Sequence, residues 1–240
     1  MSSFEVTIYE KQDNIAYITL NRPKALNAYN IRMRDELFEI LGAIQEDSEV
    51  RVTILRGAGE KAFCAGADLT EFLTAPPPVF ARKARFERDI WGRFISIQKP
   101  FIAALHGYVI GSGVEMSLCC DIRLASEDAR FSLPEINLGM IPAAGGTQTL
   151  PRVVGKAHAM NLLLGGGYID STEAKRIKLV NKVLPRKNLF AEAENLAQKI
   201  AGYDPRAVAN AKQSINQGLN ISLQEGLSLE RRLGLQNIRF

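Results

Sequence analysis

The sequence predicts an α/β fold with a helical C-terminal part, on three grounds. Up to about Thr147, short apolar or alternating stretches are separated by glycine-rich turns and single helical patterns. Beyond Thr147 the apolar spacing becomes almost wholly helical. The 240 residues, 46% hydrophobic and 23% charged, match a soluble globular chain. A chain of this size buries roughly 70–75% of its extended surface and needs no covalent staples. Disordered, collagenous and low-complexity classes are excluded by the same composition.

In chain order, the alternation at 4–9 and 15–20 predicts a hairpin of two strands, broken by Asn21-Arg22-Pro23. From Asn30 to Asp47 the set Met33, Leu37, Ile40, Leu41 and Ile44 has helical spacing, with Asn30 as N-cap. A strand at 52–55 leads into a glycine-rich loop, Gly57 to Gly66. After Pro76-Pro77-Pro78, a basic amphipathic helix is expected over about 79–97. The strand at 101–105, a glycine turn, a short helix from about Gly113 and a strand at 121–125 follow. Helices are then expected at 155–164, 172–177, 187–201, 205–218 and from Ser222 onward, with one strand-like piece at 179–184. The α/β core passes into the helical part between residues 185 and 205, which suggests units 1–190 and 191–240.

The net charge of +4 suits an acidic small ligand as well as it suits nucleic acid. Cys64, Cys119 and Cys120 are odd in number and lack a Cys-x-x-Cys pair, and only His106 and His158 are histidines. Neither a disulfide framework nor a metal site is expected. The first ten residues lack a basic start and an apolar signal core, so a reduced, cytoplasmic setting is the expectation. The apolar stretch from Pro100 to Cys120 contains His106, Glu115, three glycines and two serines, and reads as a buried strand–turn–helix, not a membrane span.

Two glutamates stand alone. Glu115 is the one formal charge between Lys99 and Asp121, and Glu135 the one between Arg130 and Arg152. A carboxyl in apolar surroundings resists ionisation and so takes and gives protons near neutral pH. Two such groups on one cleft could add water across a double bond, one activating water and the other handling the carbon-bound proton. Each is equally readable as a helix cap or an ion-pair partner. The turn Gly107…Gly111-Ser112-Gly113 would present backbone N–H groups able to hold an oxyanion, with a second donor from Cys64-Ala65-Gly66-Ala67-Asp68, although a purely structural turn fits as well. Ser112 is not in a Gly-x-Ser-x-Gly hydrolase elbow, because positions 110 and 114 are Ile and Val, and no nucleotide-binding fingerprint occurs. His106 reads as a packed histidine, and Gly165-Gly166-Gly167 as the loop after a helix.

The chain resembles the crotonase (enoyl-CoA hydratase/isomerase) superfamily. The resemblance runs from Asn21-Arg22-Pro23-Lys24-Ala25-Leu26-Asn27-Ala28 through Ala62-Phe63-Cys64-Ala65-Gly66-Ala67-Asp68-Leu69 and from His106-Gly107 to Glu115. It continues through Pro134-Glu135, Gly139, Pro142 and Gly145-Gly146-Thr147 to Ile169-Asp170-Ser171-Thr172-Glu173-Ala174 and Leu179-Val180-Asn181. It implies a spiral of ββα turns with a C-terminal helical trimerisation region, and hence a homotrimer or a dimer of trimers. It also implies syn hydration of a 2-enoyl-CoA by Glu115 and Glu135, with the thioester oxygen held by the N–H groups of Ala67 and Ser112. Lys24, Ala25, Leu26, Ala65, Asp68 and Leu69 would line the CoA site, coenzyme A being part of the substrate with no separate cofactor.

Three departures from that pattern stand out. Ser112 replaces the commoner glycine, Thr70 stands where many hydratases carry a lysine, and the chain stops at Phe240 where relatives continue through another helix. A Δ3,Δ2-enoyl-CoA isomerase is the alternative activity, while Ala143 and Ala144 disfavour a dienoyl isomerase. An RNA-binding homologue is disfavoured by Asp35, Glu36, Glu39, Glu46, Asp47 and Glu49 against Arg32 and Arg34 in the segment 30–49. No nucleic-acid or membrane partner is expected. A non-catalytic trimeric scaffold remains a further possibility.

Overall fold

The computed structural model describes residues 4–72 and 88–237. The first elements are β1 (Thr7–Gln12), β2 (Ile15–Leu20), a 3-10 turn (Pro23–Ala25), α1 (Ile31–Glu46), β3 (Val52–Gly57), β4 (Ala62–Cys64) and α2 (Leu69–Phe72). Then come α3 (Ile90–Ser96), β5 (Phe101–Leu105), β6 (Tyr108–Ile110), α4 (Ser112–Leu118), β7 (Ile122–Ser126), β8 (Arg130–Ser132) and a 3-10 turn (Glu135–Leu138). The last part holds α5 (Gly146–Val154), α6 (Lys156–Gly165), β9 (Ile169–Asp170), α7 (Ser171–Arg176), β10 (Lys182–Leu184), α8 (Leu189–Ala201), α9 (Pro205–Gly218) and α10 (Leu223–Leu235).

The strands divide between two sheets, β1-β2-β3-β5-β7-β10 and β4-β6-β8-β9. Successive turns of the chain lay one strand in the first sheet and the next in the second. Thus β3, β5 and β7 are parallel neighbours in one, and β4, β6 and β8 in the other. The chain is therefore a coil of ββα turns, as the resemblance implied. Its first sheet is covered on one side by the large core and on the other by α8. That helix buries Leu189, Ala193, Ala197 and Ala201 against Ile15, Tyr17, Val52, Ile54, Ile102 and Leu124.

Several expectations hold, and others shift for physical reasons. In α1, Asn30 caps the helix by accepting from the Met33 N–H at 2.9 Å, and the anticipated apolar face is buried. The first strand begins at Thr7, not Phe4, because the N–H groups of Glu5 and Val6 donate to the Glu36 carboxylate at 2.8 and 3.1 Å. Its hairpin turns through Asp13 and Asn14, with Asp13 at φ 52, a conformation Asp tolerates. The late strand begins at Lys182 because the N–H groups of Leu179 and Val180 return to the Ala174 carbonyl and close α7.

The segment taken as a glycine-rich loop, 57–66, contains β4, and helix α5 was not anticipated because it encloses Pro151. Of the helix expected over 79–97, the described part is α3, capped by Asp89; 79–87 and Pro76 to Pro78 lie outside the described residues.

Helix α8 spans residues 190 and 191 and packs its buried face on the sheet. Helices α9 and α10 pack on each other. The Lys212 ammonium docks α9, donating to Asp121 Oδ2 at 2.8 Å and to the Lys99 carbonyl at 3.0 Å. The three cysteine thiols are buried. Among the described residues no helix is long and apolar enough to cross a membrane.

Candidate active site

Parallel neighbours end at the same edge of a sheet. Strands β4, β6 and β8 therefore release residues 65–68, 111–112 and 133–135 side by side. Close backbone approach makes this edge dense. A Cβ on Gly113 would lie 2.4 Å from the Cys64 carbonyl oxygen, so α4 starts directly against the end of β4. Gly111 has φ 50, and a Cβ there would lie 2.8 Å from Glu135 Oε1 and 3.7 Å from Gly66 Cα. At Gly111 the three released segments meet.

Both expected oxyanion donors are on these segments. Tyr29 and Ala67 form a parallel bridge, in which the Tyr29 N–H donates to the Gly66 carbonyl and the Asp68 N–H to the Tyr29 carbonyl, both at 2.8 Å. In that geometry the N–H of Ala67 points away from Tyr29. Ser112 is the first residue of α4, and a first-turn N–H has no acceptor within its own helix. The N–H of Gly111, one residue earlier, is used by the Ser132 carbonyl at 2.9 Å, which holds the turn against β8.

Glu115 lies one helical turn beyond Ser112 and is 3% exposed. Its Oε1 accepts from the N–H groups of Ala144 at 2.9 Å and Gly146 at 3.0 Å, the latter opening α5. Two donors and the positive end of a helix favour negative charge on this oxygen. A Cβ on Gly146 would sit 2.9 Å from the same oxygen, so only glycine permits the contact. Glu135 opens a 3-10 turn, and its Oε2 is shielded from solvent without a hydrogen-bond partner. Burial pushes the Glu135 carboxyl above the usual range, opposed by its own backbone N–H. Glu135 Oε1 thus lies beside Gly111, the residue before the helix that carries Glu115. The roles of Ala144 and Gly146 were missed, although the glycine pair before a helix was visible.

The residues expected around CoA lie beside the same edge. Pro23 to Ala25 form the 3-10 turn, and Leu26 and Asn27 follow at φ 52 and 55. Asn27 is buried and braces the turn, its amide donating to the carbonyls of Ala58 and Ala62 and accepting from the Arg22 N–H. Lys24, Leu26 and Lys61 line a groove of about 340 Å³. The Ala65 N–H donates to the Leu26 carbonyl at 3.0 Å, joining this turn to the loop after β4. Lys24, Ala25 and Leu69 are exposed, whereas the Asp68 carboxylate is engaged by Thr70 and Arg22.

His106 is buried, its ring edge-on to Phe190 with centroids 6.1 Å apart. It is a packed histidine, as expected. Among the described residues no group of three or more His, Cys, Asp or Glu side chains is placed to hold a metal.

A sequence model of the enoyl-CoA hydratase/isomerase family matches residues 10–238. The chain belongs to the enoyl-CoA hydratase/isomerase family. A protein called probable mitochondrial enoyl-CoA hydratase from Dictyostelium discoideum is 42% identical over 227 residues, covering 93% of this chain and 80% of its own. The short-chain-enoyl-CoA hydratase of Clostridium acetobutylicum is 42% identical over 223 residues, covering 93% and 85%. A crystal structure of enoyl-CoA hydratase from Bacillus anthracis superposes with a TM-score of 0.91 at 39% identity, covering 95% of this chain and 89% of that one. The family match encloses Lys24 through Glu135, so every candidate site residue falls within it.

Proposed function

We propose that the chain is an enoyl-CoA hydratase that adds water across the double bond of a 2-enoyl-CoA thioester. The observation that carries this reading is the contrast in surroundings between two carboxyl groups. Glu115 has two N–H donors on one oxygen, and Glu135 has a shielded oxygen with none. Such a contrast separates a base from an acid. Glu115, as carboxylate, takes a proton from water while the water oxygen bonds to the β-carbon. The π electrons move onto the thioester oxygen, and Glu135, as the neutral acid, delivers its proton to the α-carbon. Passing the proton from Glu115 back to Glu135 through solvent restores both groups, so one water is consumed.

The N–H groups of Ala67 and Ser112 would hold the oxygen on which charge develops; one such donor contributes about 3–4 kcal/mol in the transition state. Because backbone atoms do this, serine in place of glycine at 112 is compatible. Lys24, Ala25, Leu26, Ala65 and Leu69 would line the CoA path, where Lys24 and Lys61 suit phosphate charge. Relatives that are 42% identical and named as hydratases support the same activity. Exposed Ile215, Leu219, Leu223, Leu227 and Leu235 on the C-terminal helices support assembly as a homotrimer or a dimer of trimers.

Hydration of crotonyl-CoA, followed by loss of the enoyl thioester absorbance, tests the reading. Glu115→Gln and Glu135→Gln should each lower kcat by roughly 10²–10⁴-fold. A wild-type rate no higher than that of the two variants would reject it.

A further inference from the structure

We infer that Arg22 and Asp68 are positioning residues for the Ala67 donor, an inference that rests on the hydratase reading above. The loop after β4 has no helix or strand of its own to fix it at 65–68. It is held instead along one side of the segment 22–29. Three backbone hydrogen bonds join them, from Ala65 to Leu26, from Tyr29 to Gly66 and from Asp68 to Tyr29. The Arg22 guanidinium closes the bracket, donating to Asp68 Oδ2 at 2.9 Å and to the Ala28 carbonyl at 2.6 Å. The second Asp68 oxygen accepts from the Thr70 hydroxyl at 2.6 Å and from its N–H at 3.2 Å.

Both side chains are largely covered, 20% exposed for Arg22 and 13% for Asp68. With both oxygens engaged by the protein, the Asp68 carboxylate is committed to the loop and not to a ligand. The backbone N–H it sets is the one immediately before it in sequence. Arg22 is in turn held by Asn27, whose side-chain oxygen accepts the Arg22 N–H at 2.9 Å. The bracket therefore runs from the buried turn beside the groove to the donor at the reacting end. A guanidinium reaches two acceptors at fixed angles, which an ammonium does not reproduce.

The test uses the full-length protein and the variants Arg22→Met, Arg22→Lys, Asp68→Ala and Asp68→Asn. Each is checked for folding by thermal melting. Two readouts follow, the kcat and KM for crotonyl-CoA, and the spectrum of a bound, unreactive CoA thioester of a long conjugated enoyl group. The absorbance of such a chromophore moves to the red as its carbonyl is polarised. Loss of positioning predicts a kcat lower by roughly 10²-fold, since an error near 1 Å has that effect. KM should stay within about 3-fold, because uniform binding is untouched. The red shift should shrink in the same variants although the chromophore still binds.

Arg22→Lys and Asp68→Asn, the gentlest changes, keep the test open if the larger ones do not fold. Unchanged kcat and red shift in these folded variants would overturn the inference. So would a raised KM with kcat intact, which would make Asp68 a CoA contact. A wild type that neither hydrates crotonyl-CoA nor shifts the chromophore overturns the hydratase reading, and this inference with it.

Discussion

Glu135 has an oxygen hidden from water with nothing to accept from, and such a group lowers stability when charged. Burial raises its pKa in the folded chain. A group raised on folding contributes stability below its unfolded pKa, and that contribution is lost as pH rises through the folded value. Above that raised value the ionised carboxylate is therefore a cost that the fold carries for its chemistry. Glu135→Gln should raise stability at pH 8 by roughly 1 kcal/mol, while lowering kcat for hydration. The gain should shrink as the pH approaches 4. Melting curves across that range check it, and a variant less stable than wild type at pH 8 would contradict it.

At the scale of elements, Glu36 shows how a charge inside the fold organises the strand before it. Its carboxylate accepts from the N–H groups of Glu5 and Val6, from the Thr7 hydroxyl at 2.7 Å and from Arg32 at 2.8 Å. Burial alone would raise its pKa, but these donors outweigh it and hold the carboxyl below its usual range. Glu36→Ala should cost about 3 kcal/mol in urea unfolding at pH 7, since it orphans donors at the chain's first strand. Because the folded pKa is lowered, the contribution is present above the unfolded value and lost as pH falls, so wild type and variant should converge in acid.

Glu36 also marks a limit of sequence reading. In sequence it is one more acid set against an RNA-binding face, yet it is 4% exposed and faces β1. What the sequence made legible were elements whose signals are local, such as Asn30 and its apolar face, β5 at Phe101–Leu105 and α9 at Pro205–Gly218. Strands β4, β6 and β8 have three residues each, too short for a period to register. Glu115 and Glu135 stood out by the absence of neighbouring charge. Their partners did not, because the contacts from Glu115 to Ala144 and from Arg22 to Asp68 join residues 29 and 46 positions apart.

For the molecule as a whole, His106 sits at the crossing from β5 in one sheet to β6 in the other. Burial first, and then the Arg186 charge, lower its pKa to about 4, with Asp128 and the Gly59 backbone pulling the other way. Arg186 itself pairs with Asp128 and Glu60. The folded chain keeps this imidazole neutral while the unfolded chain protonates it near 6.5. Stability should fall as pH drops from about 6.5 towards 4, by roughly 3 kcal/mol in all. The upper half of that window lies above the carboxylate range. His106→Leu orphans no donor and should flatten the loss between pH 6.5 and 5, as read from denaturant midpoints. An unaltered acid slope in that variant would place the sensitivity elsewhere.

The side-by-side endings of β4, β6 and β8 have a consequence for how the molecule comes into being. No stretch of polypeptide shorter than the span from Arg22 to Gly146 brings together Ala67, Ser112, both glutamates and the groups that orient them. Successive laps of the winding add the working parts, and the laps must stack before any of it has meaning. Chemical competence should therefore emerge late and all at once during refolding, after most helical signal has returned.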